Sequence, residues 1–326
     1  MGKILGGDNM KIVMVEPINI SMMKIEEYRQ QLEAEGHQLI AYSSRAENDQ
    51  EMIKRVKEAD ILIIANQPLS AKVINASKDL KMISVAFTGF DHIAMEACRE
   101  NDILVSNSSG YANQAVAELA FGLVINLMRN IKDSDGAVRV GKTRKNLIGN
   151  ELFGKNFGII GFGSIGQKTA KIAAAFGCNI LVDDHKQHKL GEELGVEYLP
   201  IDKLMQNSDI VSLHVPLKDS TVDLIGVEEI ALMKKDAILI NTARGPVVNS
   251  EALAEALNNE KIAGAGIDVF EMEPPIPSDH PLLNAKNTIL TPHTAFATEE
   301  AFIKRAEIVF DNIEAWLAEK PQNVVS

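Results

Sequence analysis

The chain has 326 residues, 46% of them hydrophobic and 24% charged, which is long for one ordinary domain and apolar enough to bury two cores. Lysine and arginine total 33 against 45 acids, a formal charge of −12 that repels DNA, RNA and anionic lipid, and no local basic patch offsets it. Cys98 and Cys178 stand apart and the histidines are scattered, which argues against a disulfide framework, a structural zinc or any other metal site.

The opening MGKILGGDNM lacks the apolar core of a signal peptide. KIVMV (Lys11 to Val15) then reads as a buried strand, followed by a helical pattern from Met22 to Glu35 and a second strand, HQLIAY, ending near Tyr42. A helix around Gln50 to Glu58 and the strands Ile61 to Ala65, Met82 to Phe87 and Ile103 to Ser106 complete a first series. Short β-rich runs separated by helices indicate parallel βαβ units. Val116, Leu119, Leu123 and Leu127 recur at the spacing of one helix face, with Asn113 as the expected cap. Glu118 and Asn126 interrupt this stretch, which falls short of the about 20 apolar residues of a membrane span. A cytoplasmic protein without membrane or nucleic-acid partners is expected.

A second series follows: FGIIG, NILVD, DIVSLHV, AILINT, AGAGIDV and NTILTPH are all strand-like. Six such strands with helical crossovers predict a doubly wound sheet. The last helical pattern, Glu299 to Leu317, resembles the first series more than it extends the second. The expected fold is α/β, two Rossmann-like doubly wound parallel-sheet domains with a cleft between them. The substrate domain, flavodoxin-like, takes 1–106 and 295–326; the nucleotide domain takes 107–294.

Directly after the strand Phe157 to Ile160, Gly161, Gly163 and Gly166 fall in GxGxxG spacing and a helix pattern follows. The first glycine permits a tight turn, the second lets backbone approach a pyrophosphate, and the third lets helix and strand pack closely. The phosphates then face the helix N-terminus, where Ser164 and Ile165 begin the helix. The next strand ends in Asp183-Asp184, about 20 residues on, where an acid would bind the adenosine ribose. Asp184 is the preferred contact and Asp183 the alternative. A carboxylate there repels a 2′-phosphate, so NAD is favoured over NADP, although His185, Lys186 and Lys189 lie close by.

Hydride transfer to a 2-keto acid needs a cation for the carboxylate, an acid for the developing alkoxide, and a group that orients that acid. Arg244 in NTARGP, Glu273 in GIDVFEMEPP and His293 in TPHTAF each follow a strand, and ligands of open α/β sheets bind beyond the carboxyl ends of strands. Arginine offers a fork that matches a carboxylate, and a carboxylate beside imidazole favours its protonated form. Singly each could be an ordinary loop residue. Their joint occurrence with a nucleotide motif makes the case.

VAFTGFDHI, AVAELAFGL, GIIGFGSIG, VSLHVPL, LINTARGPVV, AGAGIDVFEMEP and ILTPHTA together resemble the D-isomer-specific 2-hydroxyacid dehydrogenase family, from about Ile61 to Ala301. The resemblance implies that Arg244 binds the substrate carboxylate, His293 is the acid/base and Glu273 pairs with it. It implies substrate contacts at Thr88, Gly89 and Phe90, flanked by Asn66 and Tyr111. His214, Val215, Pro216, Thr242, Ala243 and Asp268 would surround the adenosine and nicotinamide, with Asp268 near the carboxamide. The family also implies a homodimer, built on the long helix and the arm up to Gly149. A tryptophan common in the family just beyond Gly141 is absent, Lys142 and Thr143 standing there instead. The leader Met1 to Asn9 has no counterpart and is read as a disordered extension, with Met10 an alternative start.

The loops at Ala65 to Gln67 and Thr88 to Phe90 are neutral and Phe296 adds an apolar wall, so a 2-keto acid with a small, uncharged side chain, such as glyoxylate, hydroxypyruvate or pyruvate, is expected. Arg45 is the one obvious cation that could reach a distal anionic group, a surface role being preferred. Two lobes crossed near Ser106 and Ala295 imply hinge closure. An alternative is an NAD(H)-sensing binding protein like the corepressors that share the fold, for which the chain lacks basic tails and long disordered extensions. Formate dehydrogenase shares much of the scaffold but is the longer chain.

Overall fold

The computed structural model describes residues 9–326; Met1–Asp8, nearly all of the leader, lie outside the described residues. The chain divides into two compact units. One runs to Ala112 and takes back Thr298–Ser326; the other is Asn113–Ala297.

The first unit holds β1 (Lys11–Met14), β2 (Gln38–Ala41), β3 (Ile61–Ile64), β4 (Met82–Val85) and β5 (Leu104–Asn107) in the order β2-β1-β3-β4-β5. All pairs are parallel. β3 and β4 are buried along their whole length, as expected where helices cover both faces of a parallel sheet. The strand order reverses between β1 and β3, the arrangement of flavodoxin-like sheets. One covering helix comes from the far end of the sequence. It spans Glu299–Leu317 and is capped by Thr298, whose hydroxyl accepts from Ala301 N at 3.1 Å. Its Ala306, Val309, Phe310 and Ile313 join Ile12, Met14, Ile61, Ile63 and Met82 in one core. The Ser84 hydroxyl donates to the Val309 carbonyl at 3.1 Å, tying strand to helix. Burial of side chains the size of Val309 and Phe310 is worth roughly 1.5–3 kcal/mol each.

The second unit carries β6 (Asn156–Ile160), β7 (Asn179–Asp183), β8 (Glu197–Tyr198), β9 (Ile210–Leu213), β10 (Ile238–Asn241), β11 (Gly264–Ile267) and β12 (Thr288–Leu290). Their order, β12-β11-β10-β9-β6-β7-β8, contains the dinucleotide-fold sequence, with its reversal between β6 and β9. The long helix Asn113–Arg129 lays Ala120, Phe121, Leu123, Val124 and Met128 against Phe157, Ile159, Ile180, Ile238 and Ile240. Asn113 is the first helical residue rather than the cap expected of it. The edge strand β8 adds a seventh strand to the six read from sequence; its two residues are too few for a pattern to register. Among the described residues no helix is long and apolar enough to cross a membrane.

Candidate active site

At the reversal point of the second unit the glycine turn is shaped by contacts that exclude side chains at two of its three positions. Gly161 has φ +91°, and a Cβ there would lie 2.6 Å from the His214 carbonyl oxygen at the end of β9. A Cβ on Gly166 would sit 2.2 Å from the Gly161 carbonyl, so the helix Ser164–Ala175 can approach the turn only through glycine. Gly163, in contrast, would meet nothing within 4 Å. The protein's own packing does not require glycine there. Gly163 also caps the helix without any side-chain hydrogen bond, which leaves Ser164, Ile165 and their neighbours presenting backbone N–H groups at a positive helix end. A backbone open at Gly163 and closed at Gly161 and Gly166 fits a pyrophosphate.

Asp184 follows β7 directly and turns back onto this loop. Its carboxylate accepts from Phe162 N at 2.5 Å and from Lys186 N at 2.9 Å, with His185 Nδ1 at 3.1 Å. Partial burial works against ionisation, but the two backbone donors outweigh it and hold the Asp184 carboxyl below the usual carboxylate range. Asp183 lies half-buried within the strand, and its carboxyl is pushed up by burial and by Asp184. Of the two, Asp184 is the one whose carboxylate is tied to the glycine turn, through Phe162 N. Burial drives the His214 imidazole down to about 3, so the ring is neutral, and its Nε2 lies 2.9 Å from the Ser212 hydroxyl. Val215 and Pro216 continue from it along the same loop. The Thr242 hydroxyl is buried without a hydrogen-bond partner, a polar atom suited to a ligand group at the end of β10.

Arg244, Glu273 and His293 follow β10, β11 and β12, three neighbouring parallel strands. Asn241, at the end of β10, fixes the first of these turns. Its amide donates to the Arg244 carbonyl at 2.9 Å and its oxygen accepts from Ala243 N at 3.0 Å. The guanidinium of Arg244 in turn donates to the Ala243 carbonyl at 2.8 Å.

His293 Nδ1 lies 2.8 and 2.9 Å from the two oxygens of Glu273. The histidine side chain is 14% exposed and the glutamate 61%. Nδ1 therefore carries a proton toward the carboxylate, and Nε2 is the nitrogen turned to other work. The Phe296 ring stands edge-on to the imidazole at 5.1 Å. His293 has φ +54°, an uncommon backbone state for a residue with a side chain. Asp268 holds it there. This residue is completely buried; its carbonyl accepts from His293 N at 2.8 Å, and its carboxylate accepts from Thr291 Oγ1 at 2.6 Å, Thr294 N at 2.8 Å and Ala295 N at 3.0 Å. Sequence reasoning named Asp268 by resemblance as an expected cofactor neighbour and missed this bracing role, as it missed Asn241. An acid or amide at the end of a strand, a few residues from a reactive side chain, is the signal that could have found both.

The remaining expected residues belong to the first unit. Thr88 is exposed, with Gly89 and Phe90 half-buried, and the Thr88 carbonyl accepts from Asn107 Nδ2 at 2.7 Å. Tyr111 is buried, its ring 6.0 Å from that of Phe87 and 5.5 Å from the guanidinium of the buried Arg305. Asn66, just beyond β3, accepts a hydrogen bond from Arg45 through its side-chain oxygen. Arg45 Nε also pairs with Glu16 at 3.0 Å, and Glu16, 1% exposed, accepts from Ala65 N and Gln67 N at 2.9 Å each. Arg45 is thus a strut of the Asn66 loop.

Residues 121–295 match the family model described as D-isomer specific 2-hydroxyacid dehydrogenase, NAD binding domain. A glyoxylate reductase of Korarchaeum cryptofilum is 40% identical over 84% of this chain and 85% of its own. A D-3-phosphoglycerate dehydrogenase of Methanocaldococcus jannaschii is 39% identical over 97% of this chain, which spans 59% of that longer protein. Among solved structures, an acyclic imino acid reductase in complex with NADPH and D-Arg superposes with a TM-score of 0.88 at 31% identity, covering 97% of this chain and 100% of that one. The glycine turn, the strand-end triad and these likenesses converge: the chain belongs to the D-isomer-specific 2-hydroxyacid dehydrogenase family and is an NAD-dependent oxidoreductase acting on keto acids.

Proposed function

We propose that the chain reduces a 2-keto acid with a small, uncharged side chain to its D-2-hydroxy acid, with His293 as acid/base, Glu273 as its partner and Arg244 as the carboxylate clamp. The observation that carries this reading is the two-oxygen contact of Glu273 with His293 Nδ1, at the ends of adjacent strands. When bound, the nicotinamide supplies the hydride that the carbonyl carbon accepts. His293 Nε2 gives its proton to the carbonyl oxygen as negative charge develops there, while the Glu273 carboxylate stabilises the imidazolium before transfer. Arg244 orients the substrate through paired N–H donors, and Asn241 and Asp268 keep the two groups in place.

Gly161, Gly163, Ser164, Ile165 and Gly166 take the pyrophosphate, and Asp184 takes the ribose hydroxyls with the acceptor positions that Phe162 and Lys186 leave to it. His214, Val215, Pro216, Thr242, Ala243 and Asp268 complete the cofactor site. Asn66, Thr88, Gly89, Phe90 and Tyr111 serve the acid. The engagement of Arg45 by Glu16 and Asn66 supports a substrate without a second charge. Exposed Ile131, Val138, Val140 and Ile148 along the arm support a homodimer, working in the cytoplasm. The test is NADH oxidation with glyoxylate, pyruvate, hydroxypyruvate and longer 2-keto acids, with chiral analysis of the product. An inert chain across the panel rejects the reading, and an L-product rejects its stereochemistry.

A further inference from the structure

The loop between β11 and β12 carries Glu273, which is well exposed and would be expected to swing. What holds this loop lies beneath it. His280 is 8% exposed, and its ring makes two directional contacts of opposite sense. Nδ1 accepts from Leu282 N at 3.3 Å, capping the short helical turn Pro281–Asn284. With Nδ1 an acceptor, Nε2 bears the proton, and it lies 2.9 Å from Glu271 Oε2. The Phe270 ring meets the imidazole edge-on at 5.4 Å, fixing its plane.

Glu271 is drawn in from two sides. Despite partial burial, the Ser250 hydroxyl and His280 hold its carboxyl below the usual range. Ser250 opens the helix that follows the Arg244 turn. Gly245, next to Arg244, lies so close to this segment that a Cβ would fall 1.9 Å from the Phe270 carbonyl carbon and 2.5 Å from Glu271 N. One bracket thus joins the Arg244 turn, through Gly245 and Ser250, to the stem of the Glu273 loop. His280 closes it from the other end of that loop.

We infer that His280 is a positioning residue for the reaction: its Nε2–H, by anchoring Glu271, holds Glu273 in register with His293. The inference rests on the reading of His293 and Glu273 given above. Its two ring nitrogens can be tested separately. In His280→Asn the amide oxygen can replace Nδ1 as the cap of Leu282, while the donor to Glu271 is lost; in His280→Gln the amide N–H reaches the place of Nε2. Three quantities are read on the full chain: kcat and KM for the keto-acid panel, NADH affinity by fluorescence, and the ¹⁵N-histidine NMR signal of the His293 Nδ1–H, assigned with His293→Gln.

His280→Asn is expected to lower kcat by about tenfold to a hundredfold, the scale of a displaced reacting group, and to broaden or abolish the Nδ1–H signal. NADH affinity and thermal stability should stay near the wild type. His280→Gln should restore both kcat and signal. Unchanged kcat and signal in His280→Asn overturn the inference, the outcome a purely structural cap predicts, and so does a His280→Gln chain as impaired as His280→Asn, which would mark a need for the imidazole ring other than its Nε2–H. If the wild type is inert toward every keto acid, the proposed reaction fails, while the NMR comparison still decides whether His280 holds the pair.

Discussion

The two sheets are fastened alike at their amino ends and finished differently at their carboxyl ends. Before β3, Asp60 accepts from Lys11 N at 2.9 Å and pairs with Lys81 at 2.7 Å. Before β9, Asp209 accepts from Asn156 N at 2.8 Å and pairs with Lys234 at 2.9 Å. In each unit one aspartate pins the strand across the reversal point. At the opposite end of the same strands the units part. In the first, Glu16 fills the position with a buried carboxylate that ties Ala65, Gln67 and Arg45 together. In the second, glycines leave bare backbone, and no side chain of the turn itself occupies the corresponding position. Doubly wound topology offers a ligand position in both; chemistry at that position decides whether a ligand or the protein's own side chain takes it.

Four experiments would break or sharpen this contrast, beginning with the reaction itself. His293→Ala should lower kcat/KM by about 10²–10⁴ with NADH affinity kept, measured by steady-state kinetics and fluorescence titration; weak NADH binding would mean that the loop serves the nucleotide turn instead. Gly161→Ala and Gly163→Ala should separate cleanly. The first forces a side chain into a positive-φ site against the His214 carbonyl and should cost about 1–3 kcal/mol of stability. The second should leave the melting temperature unchanged and weaken NADH binding by about tenfold, the scale of one impaired anion contact.

Glu16→Ala exposes the other side of the contrast. It strands two backbone donors and should destabilise the chain by about 2 kcal/mol in thermal unfolding, with NADH affinity unaffected. An effect on NADH affinity would show that the first reversal point also serves the nucleotide. The smallest effect concerns acid. Against the cost of its partial burial, the Asn156 N–H and Lys234 hold the Asp209 carboxyl below its ordinary 3.8. A group with a depressed folded pKa contributes stability above the unfolded value and loses it as pH falls through the folded one. Asp209→Asn should therefore flatten the pH dependence of unfolding below 3.8 and leave its slope at neutral pH alone.

Much of this was legible in the residues. Four-residue runs such as Ile61–Ile64 and Phe157–Ile160 are buried strands because both sheet faces are covered, so every position is apolar or small. The helix Glu299–Leu317 was readable to the residue from its amphipathic pattern. Arg244, Glu273 and His293 could be proposed together because each follows a strand end. Bracing groups escaped notice because their meaning is tertiary. Asp268 and Asn241 act on neighbours through loop backbone, and the Glu271–His280 contact depends on a fold of the Pro-rich loop that no periodicity announces. Arg45 illustrates the same limit. Its charge was plain, but Glu16 lies far from it in sequence, and only the sheet brings them together.

The helix Glu299–Leu317 completes the core of a unit whose other elements precede Asn113. On a ribosome, the opening five strands have that face covered only in part, by Ile25 and Leu32 of the helix Met22–Ala34, until nearly the whole chain has emerged, whereas Asn113–Ala297 is continuous and can close earlier. The later-encoded unit is thus positioned to mature first, while the core around Ile12, Ile61 and Met82 waits part-built for Val309, Phe310 and Ile313.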